Sequence, residues 1–309
     1  DGSILLVLRC ALQFAVVTAG TDGYAIVWDG ATGEKVHTIQ ADTKGVLSCV
    51  AMSPDGRWLL TGGQDAVAKL WDVQSGELIR FFCGHEAKIV SCTFSRDGRY
   101  ALTVSEDRSM RLWDIHYGGC SETYSTGSCL RYAKFSPDGS KIITSAGYGL
   151  DGAVRVWSVD TGDCVELPKA WGNVETAEYS PNSASVVTAS MDCTAKVWNF
   201  DTKTCTRLRG HKDSVLGATF SDDGSMILTA SDDGTAILFD SATGKSMKTL
   251  KGHNSALSSA KFSPDQDHAV TSSVDGTAKI WNLKSGEVTQ TLPVGCAVKH
   301  VACGMAILP

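Results

Sequence analysis

The sequence predicts an all-β fold made of seven copies of one four-stranded antiparallel unit. Three observations carry that expectation. A Thr…Asp…aromatic segment recurs seven times, its aromatics are evenly spaced, and the run after each Asp tends to alternate apolar and polar residues, the period of a half-buried strand. The clearest copy is Thr271 to Asn282, TSSVDGTAKIWN, and the others begin at Thr18, Thr61, Thr103, Thr144, Thr188 and Thr229. The aromatics Trp28, Trp71, Trp113, Trp157, Trp198, Phe239 and Trp281 lie 43, 42, 44, 41, 41 and 42 residues apart. A fixed period in the forties means one supersecondary unit repeated.

Each unit decodes into strands and turns. The Thr closes a short apolar run such as WLLT or MILT, and the Asp with its small neighbour supplies turn chemistry before the next strand. Upstream, Ser53-Pro54-Asp55-Gly56, Ser136-Pro137-Asp138-Gly139 and Ser221-Asp222-Asp223-Gly224 mark a second turn. After the aromatic, Ala31-Thr32-Gly33, Gln74-Ser75-Gly76 and Lys284-Ser285-Gly286 mark a third, leading to a fourth strand. Four strands in seven units give about 28 strands. A four-stranded sheet cannot bury its faces alone, whereas seven set radially bury one another and leave only short edges. The expected fold is a seven-bladed β-propeller, with eight blades, the extra one shared by the termini, as the alternative.

The units are expected at residues 3–40, 46–83, 88–125, 129–169, 173–209, 214–251 and 256–293, with 294–309 as a closing or tail strand in one domain of 1–309. The first is the least regular: residues 3–8 align with the innermost strand of unit two, 46–51, but also resemble a second strand. Ala297 to Ala302 reads like another innermost strand, so ring closure stays open at this point. Unit four carries three extra residues between Thr144 and Asp151, around Gly147-Tyr148-Gly149-Leu150.

Three Gly-His dipeptides, Gly84-His85, Gly210-His211 and Gly252-His253, followed by Trp-Asp or Trp-Asn pairs, make the chain similar to the WD-repeat family of β-propellers over residues 3 to 293. The resemblance implies structural hydrogen-bonded tetrads at His85, Thr103, Asp107 and Trp113, and at His253, Thr271, Asp275 and Trp281. Unit six keeps His211, Thr229 and Asp233 but has Phe239, which offers no indole donor. Units two, four and five place Thr43, Thr126 and Ala170 at the His position and lack the full network. A catalytic acid–base reading of these residues is disfavoured, because a reacting constellation does not need several copies. His37, His116, His268 and His300 occur singly, and surface or incidental placement is expected for each.

Composition narrows the function. Net charge is −6 without basic blocks, so no nucleic-acid partner is expected. No apolar run approaches the roughly 20 residues of a membrane helix, so no membrane insertion is expected. Gly244-Lys245-Ser246 lacks the first glycine of a phosphate loop, because Phe239 stands there. No cofactor or metal is expected. The eleven cysteines include no C-x-x-C, and they read as reduced, buried thiols of a cytoplasmic protein, or alternatively a nuclear one.

What remains is surface. The resemblance implies that partners meet the face carrying the turn before each Asp and the start of each innermost strand. The residues before the Asp are Thr21, Gln64, Glu106, Leu150, Met191, Asp232 and Val274. The strand-start positions include Lys88, Val90, Arg131, Asn173, Glu175 and Leu216. Tyr148 and Leu150 are expected to project from the longer unit-four loop, the profile of an interface anchor. The mixture of charged, amide and apolar side chains suits protein or peptide partners. The expected function is a non-catalytic interaction scaffold within a multiprotein complex. The alternative is a substrate receptor of a ubiquitin ligase, weakened because only Lys284 is basic among positions three after the aromatic.

Overall fold

The computed structural model describes residues 12–146, 153–167 and 173–309. These form 28 strands in seven four-stranded antiparallel sheets, and no helix is present among the described residues. In six blades the strands run in chain order from the channel outwards. Blade one differs: its innermost strand is the last of the chain, Val298–Ala306, paired antiparallel with Gln13–Gly20. The ring is therefore closed by the C-terminal segment. The strand expected at residues 3–8 lies outside the described residues.

Burial follows from the radial arrangement. Among the described residues, seven apolar clusters each join two neighbouring blades, because alternate residues of a strand point to opposite sheet faces. In blade one, Val16, Trp28 and Val301 pack against Val270, Ala278 and Leu292 of blade seven. Ala15, Val17 and Ala302 pack the other way, against Leu47, Leu59 and Trp71 of blade two. The contact between the first and last blades completes the ring.

Outermost strands lace several blades to the next. His37 Nε2 meets Gln74 O at 2.9 Å, Arg80 Nη1 donates to Tyr117 O at 3.2 Å, and Gln290 Nε2 donates to Ala31 O at 3.2 Å. Each reaches a carbonyl of the following blade's third turn, so His37 holds a structural place between blades.

The turns repeat their backbone as well as their sequence. After the Asp, Gly23, Gly234 and Gly276 take positive φ, and Ala66, Arg108 and Cys193 are held at 64 to 66° in the same place. Ser183, Gln266 and Lys203 likewise stand where other blades have a positive-φ glycine. Every non-glycine with positive φ among the described residues is thus a repeat-turn position imposed by the blade. Gly244 sits in such a turn, its N–H donating to Asp240 O at 2.8 Å, before strand Ser246–Lys251.

The cysteines correct an expectation. The ten described are free thiols, but only Cys49 and Cys92 are buried, while Cys83, Cys120, Cys129, Cys164 and Cys205 are exposed. Cys120, Cys164 and Cys205 lie on outermost strands and Cys83 directly follows one, where a side chain has no further strand to cover it.

Candidate functional site: one face and its channel

In several blades side chains anchor the turn that carries the Asp. Trp113 Nε1 donates to Thr103 Oγ1 at 2.8 Å, Thr103 Oγ1 lies 2.8 Å from His85 Nε2, and His85 Nδ1 lies 2.7 Å from Asp107 Oδ2. One proton arrangement satisfies every group: His85 is neutral with its proton on Nδ1, so Nε2 accepts from the Thr hydroxyl. Burial lowers the His85 pKa, against the pull of Asp107, which favours that neutral form. Burial works to raise Asp107, but donors from Ser109, His85 and the Glu86 backbone outweigh it and bring the carboxyl to about 2. His253, Thr271, Asp275 and Trp281 repeat the chain with contacts of 2.7 to 2.9 Å. His211, Thr229 and Asp233 are joined in the same way, and the buried Phe239 ring offers no donor to Thr229. The Trp-to-Thr bond also occurs at Trp28, Trp71, Trp157 and Trp198, in blades without the His.

Two of the blades lacking His use a different cation. In blade two, buried Lys69 bonds Asp65 and Ala41 O. In blade five, Lys196 pairs with Asp192 at 2.6 Å. Both lysines lie four residues after the turn Asp. In blade two, buried Asp42 also accepts from the Lys44, Gly45 and Asp65 backbone. Thr126 of blade four accepts no His and instead donates to backbone oxygens at 2.8 Å. Ala170 lies outside the described residues.

These anchors bring two sets of positions onto one face. Gln64 N donates to Val46 O, Glu106 N to Lys88 O, Met191 N to Asn173 O, Asp232 N to Ser214 O and Val274 N to Ala256 O, at 2.9 to 3.1 Å. Each bond ties the residue before the Asp to the start of the innermost strand. Gln64, Glu106 and Val274 are exposed, whereas Met191, Asp232 and Asn173 are half-buried. Every innermost strand then shifts register near its start, as at Leu47/Cys49 and Val174/Thr176. Such a bulge re-aims side chains locally. Lys88, Val90, Arg131, Glu175 and Leu216 line the channel mouth, a cavity of about 280 Å³. Burial raises the Glu175 carboxyl, with Arg131 opposing and Asp232 adding. Tyr148 and Leu150 lie outside the described residues. Their hairpin closes where Ala146 N donates to Ala153 O at 3.0 Å.

Deeper in the channel is a cluster that the sequence reading missed. Glu178 Oε1 accepts from Tyr132 OH and Lys261 Nζ, both at 2.6 Å. Its Oε2 accepts from Lys134 Nζ at 2.7 Å and Thr219 Oγ1 at 2.9 Å. Burial works to raise this carboxyl, but Lys134 and Lys261 outweigh it and hold it far below the usual range. His300, from the closing strand, lines both this waist and the 680 Å³ cavity beyond it. Its surface or incidental placement was therefore the wrong expectation. Burial pushes its pKa down to about 4, with Lys261 adding to the effect.

Residues 13–282 match a family model described as the IFT122 first beta-propeller. The chain belongs to this WD-repeat β-propeller family. Segments are also similar to curated proteins. The chain is 36% identical over 80 residues to nuclear distribution protein nudF of Emericella nidulans, covering 26% of this chain and 18% of that protein. It is 31% identical over 88 residues to transcription initiation factor TFIID subunit 5 of Caenorhabditis elegans, covering 28% and 13%. It is 31% identical over 86 residues to a guanine nucleotide-binding protein subunit beta of Nicotiana tabacum, covering 26% and 23%. These matches span less than a quarter of each relative's length.

In this WD-repeat propeller the missed residues divide by legibility. Lys69 and Lys196 carry a partial sequence signal, a Lys four residues after the turn Asp, shared by Lys279 in unit seven, which has its His, and absent from unit one, where Ile26 stands. Glu178 carries none, because its partners come from strands Leu130–Phe135, Val215–Phe220 and Leu257–Phe262 of three other blades.

Proposed function

We propose that this chain is a non-catalytic scaffold that docks protein or peptide partners on the face around the channel mouth, as a subunit of a larger assembly. The observation that carries the reading is the set of backbone bonds that fixes the residue before each Asp beside the start of the innermost strand. A rigid ring thereby presents exposed Gln64, Glu106 and Val274 and half-buried Met191, Asp232, Asn173 and Leu216 on one face. Such a mixture of apolar, amide and charged side chains suits a protein partner. Tyr148 and Leu150 belong to the same reading as anchors on the longest of these hairpin loops. The Thr–His–Asp chains suit a frame better than a reaction centre: Thr103 is fully buried and its oxygen already accepts the Trp113 indole. The family match and the relatives named as subunits of TFIID and of a G protein favour assembly partners.

The test is the double variant Glu106→Arg with Val274→Asp, both at exposed positions, against Tyr117→Ala on the blade circumference. The rim variant should fold with stability within about 0.5 kcal/mol of wild type, as surface changes do. It should lose co-purifying partners that the Tyr117→Ala control retains. Retention of every partner by the rim variant contradicts the assignment.

A further inference from the structure

The channel waist is more than a structural ion pair. Lys134 and Lys261 share one carboxylate, Glu178, whose four hydrogen bonds come from these lysines, Tyr132 and Thr219. An ammonium has three donors, and each lysine gives one to Glu178. Two donors on each lysine remain, and within the waist two ammonium groups share one carboxylate, with exposed Asp222 acting on Lys134 from the cavity wall. Both lysines line the 680 Å³ cavity, together with the hydroxyl residues Ser91 and Thr93.

The wider lining points the same way. The mouth and cavity together carry six basic side chains, Lys88, Arg96, Arg131, Lys134, Lys261 and Lys299. Against them stand three acidic ones, Glu175, Glu178 and Asp222. The chain as a whole has a formal charge of −6. Positive charge is thus concentrated in a concave, partly enclosed space, where low-dielectric walls strengthen the field on an anion.

We propose that the channel binds a small phosphate-type oxyanion, inorganic phosphate or a phosphate monoester, at the waist between Lys134 and Lys261. Four spare ammonium donors at one place match the several acceptor oxygens of a phosphate better than the two of a carboxylate. Such a group keeps an ionisable hydroxyl near neutral pH, and the neutral imidazole of His300 beside the lysines offers an acceptor for it. Glu178 then has two effects. It holds the lysines in place, and its charge weakens the anion's binding. That opposition distinguishes a ligand site from a purely structural triad.

The test is isothermal titration calorimetry of the full chain with inorganic phosphate and with glycerol phosphate, in a phosphate-free buffer at low salt. Saturable binding is expected, weakened about tenfold or more in Lys134→Met, since a charge-assisted hydrogen bond is lost. Glu178→Gln is expected to bind more tightly, because it keeps the shape and removes the opposing charge. A preference for the monoester assigns the ligand to that source, and equal binding assigns it to free phosphate. No saturable binding up to about 10 mM by either wild type or Glu178→Gln overturns the proposal. So does binding that is unchanged in Lys134→Met or weaker in Glu178→Gln. An acidic peptide that binds the channel where phosphate does not also overturns it, in favour of a partner's tail.

Discussion

Asp107→Ala tests the frame that holds the docking face. The Asp107 side chain is only 10% exposed. Its Oδ2 accepts from His85 Nδ1 at 2.7 Å and Glu86 N at 3.1 Å, and its Oδ1 accepts from Ser109 N at 2.8 Å and Ser109 Oγ at 2.7 Å. The substitution takes from fully buried His85 Nδ1 its charged acceptor and leaves only Ser109 Oγ, at 3.2 Å. Two routes give the magnitude. The carboxyl falls from its usual 3.8 to about 2 in the fold, a differential stabilisation of about 2.5 kcal/mol. Removing a buried charged hydrogen-bond partner costs about 1.5–3 kcal/mol. The two agree, and for a domain of this size they correspond to a fall in melting temperature of roughly 2–5 °C. Differential scanning calorimetry should show that fall, while Asp160→Ala, in an exposed turn, should stay near wild type. Equal shifts from both variants would refute the reasoning that Asp107 ties His85 and its turn into blade three.

Other consequences concern backbone, thiols and pH. Cys193→Gly and Ala66→Gly should each raise stability by about 1 kcal/mol, because φ near 65° strains any residue with a Cβ; a loss in urea denaturation counts against the turn argument. Under native alkylation, Cys83, Cys120, Cys129, Cys164 and Cys205 should label quickly and Cys49 and Cys92 slowly; peptide mass spectrometry decides, and equal rates contradict the burial pattern. His300 falls from 6.5 to about 4 in the fold, so only the unfolded chain takes up its proton between those values. Its contribution is complete above pH 6.5 and declines towards pH 4, at up to about 1.4 kcal/mol per pH unit. His85, His211 and His253, also lowered by burial, add slopes of the same sign. His300→Gln should therefore make stability less steep over that range by about one proton; an unchanged slope would show that His300 titrates normally.

The repeat was legible because each unit restates its own turns: Asp233-Gly234 and Asp275-Gly276 specify hairpins from residues next to one another. Ring closure was not, because Val298–Ala306 pairs with Gln13–Gly20 at the far end of the chain. A strand pattern does not name its neighbour across that separation. The tetrads were legible through the resemblance, at fixed spacing within one blade. The lysine replacements were half-legible: Asp65 with Lys69 and Asp192 with Lys196 stand at a visible spacing, but their pairing needs the hairpin between them. The waist was invisible, since Lys134, Glu178, Lys261 and His300 meet only when four blades converge. The cysteines misled because a strand pattern does not reveal which strand is outermost.

Cross-linking mass spectrometry of the native assembly tests the docking claim most directly. Lysines mark both ends of the ring: Lys88 and Lys212 lie beside the anchored turns and Lys299 at the mouth, whereas Lys141, Lys245 and Lys284 lie at the turns of the opposite end. Lys141 and Lys245 are exposed, as is Lys284. The scaffold account predicts partner cross-links concentrated at Lys88, Lys212 and Lys299. Partner cross-links confined to Lys141, Lys245 and Lys284 would contradict it and move the docking surface to the other end of the propeller.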